Sequence, residues 1–350
     1  ISEENYLFYS LITKNDFNTF EINVDYKELK EKIDFSKLVL SNPKSDDFNI
    51  LKDLYKILFK DASKYLQKNS KVIIIYDGII SKVPFASLID DKDNWLIESY
   101  DFSYLPSLNS LIFNREFDFF ESNKDFIGFG NPIFNISQNE KKIVISSLLR
   151  SGVNYNQLKF LPELPNTETE IKEISKFFEA QKVDLYLRED ASETNLKTID
   201  LNSRYLSLST HAITPEDFSG IQESSIIFSV PKEPDEFDNG ILESSEVINL
   251  NMNILLTVLS ACNTGYGDYD SEESFTGLAN SFFYAGSKNL VVSHWSVETF
   301  STEILMKIFF KNLETKNKSI SNSLRHSQIE LINSKDFKHP FYWAPFVHLG

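Results

Sequence analysis

The sequence holds a single cysteine, Cys262, among 350 residues. One thiol excludes an internal disulfide, so a reducing compartment, the cytoplasm, is expected. Basic side chains are scarce as well: 35 Lys and Arg stand against 51 Asp and Glu, a formal net charge of −16. That balance opposes nucleic acid or an anionic membrane surface as a main partner, because both carry the same sign. No apolar stretch reaches the roughly 18 residues of a membrane span. There is no leading Met and no signal peptide, and the chain opens at Ile1 as though cut from a longer polypeptide. Repeats at solenoid spacing, low-complexity tracts, Gly-rich phosphate loops and metal-ligand spacings are all missing. Neither a cofactor nor a metal is therefore expected. The glycine pair Gly128 and Gly130, ahead of Asn131-Pro132, reads as a turn.

What is present is a large apolar fraction, 41%, enough for one large or two smaller domains. Cys262 closes the run Ile254-Leu255-Leu256-Thr257-Val258-Leu259-Ser260-Ala261 and precedes Asn263-Thr264-Gly265. A buried strand that ends in a Gly-containing turn delivers its last residue to a sheet edge. His211 follows the run Tyr205-Leu206-Ser207-Leu208-Ser209-Thr210 in the same way. In an open parallel sheet that edge is where ligands bind. A thiol and an imidazole so delivered suggest a Cys/His nucleophilic site.

Along the chain, strand-like runs are read at Tyr6–Ile12 and Thr19–Val24. A helical face follows at Leu51, Leu54, Tyr55, Leu58 and Phe59. Strands at Lys71–Tyr76, Phe102–Leu105 and Phe126–Phe129 continue the first half. The polar stretch 133–160 places the boundary, dividing the chain into 1–158 and 159–350. In the second half, Asn166 or Thr167 caps a helix to Phe178, and Ser192 caps another over Glu193–Ile199. Strands at Val183–Leu187, Leu290–Ser293 and Phe346–Leu349 alternate with helices at Phe275–Tyr284, Thr299–Leu313 and Ile320–Ile332. Between His211 and the Cys262 strand lies a polar insertion. Such alternation predicts an α/β fold with a mainly parallel sheet covered on both faces, its centre including Ile73–Ile75, Leu206–Leu208 and Leu256–Leu259.

Six blocks carry a family resemblance. Leu206-Ser207-Leu208-Ser209-Thr210-His211-Ala212 and Val258-Leu259-Ser260-Ala261-Cys262-Asn263-Thr264-Gly265 are the central two. Around them stand Ile75-Tyr76-Asp77-Gly78 with Val83-Pro84-Phe85-Ala86-Ser87-Leu88, and Tyr104-Leu105-Pro106-Ser107. Leu161-Pro162 with Thr167-Glu168-Thr169-Glu170-Ile171 follows, and Phe275-Thr276-Gly277-Leu278-Ala279 with Ser293-His294-Trp295-Ser296-Val297 comes last. In this order they resemble the CHAT domain family of caspase-like and separase-like cysteine peptidases, often found behind TPR repeats.

The resemblance implies a caspase-like three-layer α/β sandwich. A pseudo-caspase-like half, 1–158, would pack on a catalytic half, 159–350. It implies Cys262 as nucleophile and His211 as its partner, with the backbone N–H groups of Ala212 and Cys262 as oxyanion donors. Ala212 stands where caspases carry glycine. A thiol near its free pKa of about 8.5 needs such a base, and amide cleavage needs such donors. His294, at another strand end, is the rival base, and Trp295 beside it a pocket wall.

Acidic residues cluster around this site. Glu216, Asp217, Glu223, Glu233, Asp235, Glu236, Asp238 and Glu243 precede Cys262 against one base, Lys232. Most read as solvated loop residues. Asp268, Asp270 and Glu273, after the cysteine, are candidates to select a basic side chain by charge. The polar loops Thr214–Leu242 and Gly265–Glu273 are expected to order only when a partner binds. The function read from all this is a cysteine endopeptidase acting on a specific protein substrate, latent until a TPR-type sensor or activating partner acts. The competing reading is a non-catalytic scaffold of the same fold. A nucleotide-binding α/β module is disfavoured because no strand–glycine loop–helix fingerprint is present.

Overall fold

A computed structural model describes residues 6–105, 107–108, 121–134, 158, 161–215, 221–260, 272–295, 297–316 and 318–350. Alternating sequence makes Tyr6–Ile12 (β1) and Phe17–Asn23 (β2) an antiparallel hairpin with Phe8, Ile12 and Phe17 exposed. The next element, helix Tyr26–Leu40 (α1), lies outside the two strands read for residues 1–40. Its signals are in the sequence: the Asp25 carboxylate accepts from the Glu28 N–H at 2.9 Å, and Leu29, Ile33 and Leu40 are buried at helical spacing. Helix Asn49–Leu58 (α2) buries its expected face, and a short turn of helix, Lys60–Ser63 (α3), leads to strand Lys71–Ile75 (β3).

Strands Asp101–Leu105 (β4) and Lys124–Gly130 (β5) come next, then helix Pro165–Ser175 (α4) and strand Val183–Leu187 (β6). Helix α4 begins earlier than expected, and neither Asn166 nor Thr167 caps it. Pro165 sits in its first turn, where a missing N–H costs nothing, and Leu164 is the cap residue. Helix Glu193–Thr198 (α5) is capped as expected by the Ser192 hydroxyl, which accepts from the Asn195 N–H at 3.2 Å. Strand Asn202–Ser209 (β7) ends just before His211.

The polar insertion is more ordered than its composition suggested. Ala212–Ile213 (β8), Ser225–Ile227 (β9) and Ile241–Glu243 (β10) form an antiparallel sheet that buries Ile213, Ile226, Ile227, Phe228 and Leu242. Two- and three-residue strands bury apolar pairs too short to show a period in the sequence. Helix Ser244–Val247 (α6), strand Asn253–Leu259 (β11), helix Glu272–Ala285 (α7) and strand Leu290–Ser293 (β12) follow. Helices Thr299–Lys316 (α8), Ile320–Ile332 (α9) and Pro340–Trp343 (α10) precede strand Phe346–Leu349 (β13).

The main sheet has eight strands in the order β3-β4-β13-β12-β11-β7-β5-β6. All neighbours are parallel except β12 and β13, so β6, β5, β7, β11 and β12 point one way and β13, β4 and β3 the other. Strands β7 and β11 are central, as expected. Strand β3 is instead at the edge, with Ile75 40% exposed, because its apolar run pairs on one side only. The sheet also crosses the expected boundary: β5 precedes residue 158 yet lies between β6 and β7.

Helices cover both faces. On one, α8 and α9 reach the sheet: Ser321 of α9 donates to Asp101 at 3.1 Å and Phe310 of α8 packs edge-on against Phe126 at 5.7 Å. On the other, Phe59 beyond α2 packs against Phe102 at 5.8 Å, and Phe228 packs against Phe129 at 5.7 Å. The result is a three-layer α/β sandwich.

Candidate functional site

The C-terminal ends of β5, β7, β11 and β12 share one edge of the sheet, where an open parallel sheet binds its ligands. Strand β7 pairs with β11 through Leu206 with Thr257, Ser207 with Val258 and Leu208 with Leu259. His211 lies three residues beyond Leu208, and Cys262 lies three residues beyond Leu259 in sequence. Cys262 itself falls outside the described residues, as do Asp268 and Asp270. Glu273 belongs to α7.

His211 is fully buried. Its Nε2 lies 2.8 Å from the carbonyl oxygen of Pro162, just ahead of α4. A carbonyl only accepts, so Nε2 carries the proton and donates, and in the neutral ring Nδ1 keeps a lone pair. Nδ1 is buried and has no hydrogen-bond partner among the described residues. Burial lowers the imidazole pKa, partly offset by the bond to Pro162, which favours the neutral ring near pH 7. Phe134 packs on the ring at 5.1 Å.

The oxyanion donor expected at Ala212 lies in β8. The Ile227 N–H donates to the His211 carbonyl at 2.9 Å, and Ala212 pairs with Ile226. Alternation along an antiparallel ladder then turns the Ala212 N–H away from β9. Thr210 holds the same corner from the other side, its hydroxyl donating to the Ile227 carbonyl.

Beneath the corner lies a group the sequence reading passed over. Glu170 of α4 is buried between the two central strands. Both the Ser209 and Ser260 hydroxyls reach its Oε1, at 2.7 and 2.8 Å, and the two hydroxyl oxygens are 2.6 Å apart. Burial raises the Glu170 pKa to about 7 against the two serine hydrogen bonds, with Glu303 adding to the rise. The signal was available: Ser209 and Ser260 stand at the same distance ahead of His211 and Cys262. Helix α4 approaches this closely because β5 presents Gly128 and Gly130. A Cβ on Gly128 would meet Ile171 Cγ2 at 2.7 Å, and one on Gly130 the Thr167 carbonyl oxygen at 3.0 Å. The glycine pair is therefore a contact surface for the helix, with the turn confined to Asn131, whose φ is 51°.

His294, the rival base, ends β12 on the face toward α1. Its ring meets Tyr104 edge-on at 6.5 Å, and burial, then Lys37, lowers its pKa to about 4. Trp295 is buried beside it, rings 6.5 Å apart. Acidic residues of the insertion brace its loops: Glu223 accepts from the Ser245 N–H at 2.8 Å and Asp235 from the Phe237 N–H at 2.9 Å, while Asp238 accepts from the Thr194 N–H at 3.0 Å. Glu216 and Asp217 are outside the described residues. Among the described residues, no helix is long and apolar enough to cross a membrane, and no group of three or more His, Cys, Asp and Glu is arranged to hold a metal ion.

Against known proteins, the family model of the CHAT domain matches residues 49–350. No curated protein matches the chain in sequence. Among solved structures, the chain is similar to the Arg-specific cysteine proteinase gingipain R (RgpB), with a TM-score of 0.51 and 9% identity over 93% of this chain and 74% of that one. It is also similar to separase of Saccharomyces cerevisiae in its complex with securin, with a TM-score of 0.48 and 13% identity over 87% of this chain and 17% of that one. A complex of the RgpB pro- and mature domains of Porphyromonas gingivalis matches with a TM-score of 0.47 and 9% identity over 93% and 75% of the two chains. At 9% identity the likeness to gingipain R is one of fold.

Proposed function

The chain belongs to the CHAT domain family, and from that footing we propose that it is a cysteine endopeptidase with His211 and Cys262 as its catalytic dyad. The observation that carries the reading is the His211 ring: Nε2 tied to the Pro162 carbonyl, Nδ1 buried with its lone pair unused. That is the state of a general base waiting for a proton. The in-register pairing of Leu208 with Leu259 supports the thiol as the proton's source.

In this reading Nδ1 takes the Cys262 proton, and the thiolate attacks the scissile carbonyl carbon, forming a C–S bond. The Ala212 and Cys262 N–H groups receive the oxyanion. The imidazolium then gives its proton to the departing amine as the C–N bond breaks. Water, deprotonated by the same imidazole, cleaves the thioester and frees the thiol. Residues 159–350 carry the two reacting groups, and residues 1–158 support them, with β5 beside β7 and Phe134 against the His211 ring.

Asp268, Asp270 and Glu273 follow the nucleophile and favour Lys or Arg before the cut by charge. Trp295 and His294 close the neighbouring side as apolar wall rather than titrating groups. Complete burial of His211 supports latency, with an upstream sensor or protein partner opening the site to a protein substrate. The same burial favours the second reading, a scaffold that docks partners without turnover. Iodoacetamide labelling of Cys262 against pH separates them. A peptidase gives fast labelling with a midpoint below that of a free thiol, about 8.5, and cleaves peptides once activated. Slow labelling at every pH with no cleavage assigns the scaffold.

A further inference from the structure

We infer that Glu170 is a positioning residue for the dyad: with Ser209 and Ser260 it closes a hydrogen-bonded triangle that sets the separation of the two strand ends from which His211 and Cys262 follow. The inference rests on the dyad reading above and adds the element that holds the dyad in register.

The protons of the triangle can be counted. Three oxygens, Glu170 Oε1, Ser209 Oγ and Ser260 Oγ, make edges of 2.7, 2.8 and 2.6 Å. Each edge at these lengths needs one hydrogen between its oxygens. The hydroxyls supply one apiece. With an ionised carboxylate, one edge would press two lone pairs together. With a neutral carboxylic acid the ring closes: Glu170 donates to one serine, that serine to the other, and the second back to Oε1. Burial of all three side chains favours the neutral acid, since a bare carboxylate there would be desolvated without a cation.

The placement gives the ring its consequence. Ser209 ends β7, and Ser260 immediately follows β11. Each stands two residues before its half of the dyad. The ladder's last pair is Leu208 with Leu259, so beyond it this triangle is the described link between the two strand ends. Helix α4 also follows Pro162, whose carbonyl holds the His211 ring. One helix therefore fixes both the orientation of the imidazole and the gap across which the proton moves, and misplacement of about 1 Å in such a gap costs on the order of a hundredfold in rate.

The test compares the full chain with Glu170→Gln and with the triple variant Glu170→Leu, Ser209→Ala, Ser260→Ala. The triple variant replaces a buried polar cluster with apolar groups, which preserves folding. Thermal unfolding, the iodoacetamide pH profile of Cys262, the His211 imidazole resonance and peptide turnover are read on each. The expected result is a folded triple variant whose His211 resonance is displaced, whose Cys262 midpoint moves toward about 8.5, and whose kcat falls about a hundredfold with KM little changed. Glu170→Gln, whose amide NH2 can donate to both serines while one serine donates to the other, also closes the triangle and retains most of the wild-type profile. A folded triple variant with wild-type His211 resonance, thiol profile and kcat overturns the inference. Absence of turnover in the wild type overturns the peptidase reading alone, because the resonance and thiol profile still decide the role of Glu170.

Discussion

The imidazole of His211 is tied through Nε2 to the carbonyl oxygen of Pro162 at 2.8 Å, across 49 residues of sequence. The bond selects a tautomer, and the tautomer selects which nitrogen is basic. If Nδ1 and the Cys262 thiol act as one unit, their losses do not add. Cys262→Ala and His211→Ala each abolish peptide cleavage, and the double variant is little worse than either. Turnover by Cys262→Ala ends the cysteine-peptidase reading, while turnover by His211→Ala moves attention to His294.

Gly128→Ala is expected to destabilise the fold by about 1–3 kcal/mol through overpacking, since its Cβ would press on Ile171 and Phe126. Ile171 adjoins Glu170, so activity falls with stability. Gly277→Ala is the control: it lies inside α7 with nothing within 4 Å of the new Cβ, and a helix-interior glycine replaced by alanine gains about 0.5–1 kcal/mol. Urea unfolding of the two variants checks both signs.

The protein is expected to lose stability in acid partly through His294. Its folded pKa is about 4, below an unfolded value near 6.5, so the unfolded chain binds the extra proton between those limits. The contribution is intact above pH 6.5 and is lost as pH falls toward 4, reaching about 2 kcal/mol at pH 5. Comparing wild type and His294→Gln by chemical denaturation at pH 7 and 5 reads it; equal pH slopes would refute it.

Glu170 acts in the opposite direction. Its folded pKa, about 7, exceeds the unfolded value of 4.5, so the folded state holds the proton longer. Stability from the neutral acid is full below pH 4.5 and is lost as pH rises through 7, by about 3 kcal/mol in all. The groups facing it are Glu303 from α8 and Ser209 and Ser260 from the strand ends; none supplies a compensating cation. Glu170→Gln flattens the slope of unfolding free energy between pH 4.5 and 8, and an unchanged slope contradicts the buried acid.

Specificity is read with a peptide library on the activated protein. Lys or Arg before the cut is expected, with the preference reduced about tenfold or more by Asp268→Asn with Asp270→Asn if a buried charge pair is lost. A strict preference for acidic residues there would sink the charge argument.

Long apolar runs were legible in the sequence because they carry their own period. Strands β6, β12 and β13 and helix α9 fall on the residues expected, and both central strands lead toward the dyad. Helix α1 was missed although its burial spacing is regular, since the strand reading of residues 1–40 ended at Val24. Strands β8 to β10 are too short to show a period within an acidic stretch. The Glu170 triangle was hidden for another reason: its members are 39 and 90 residues apart, and only the parallel register of β7 and β11 brings them together.

Strand β13 has a further consequence. It lies between β12 and β4, and Ser103 meets His348 across 245 residues. On a ribosome, β3 and β4 emerge early and then wait while every other strand of the sheet is made. Until Phe346–Leu349 arrives, two incomplete sheets present facing edges with unsatisfied backbone groups. Assembly is thus gated by synthesis order. Interrupted translation should leave a nascent chain whose front section recruits holdase chaperones, and the emergence of Phe346–Leu349 releases them.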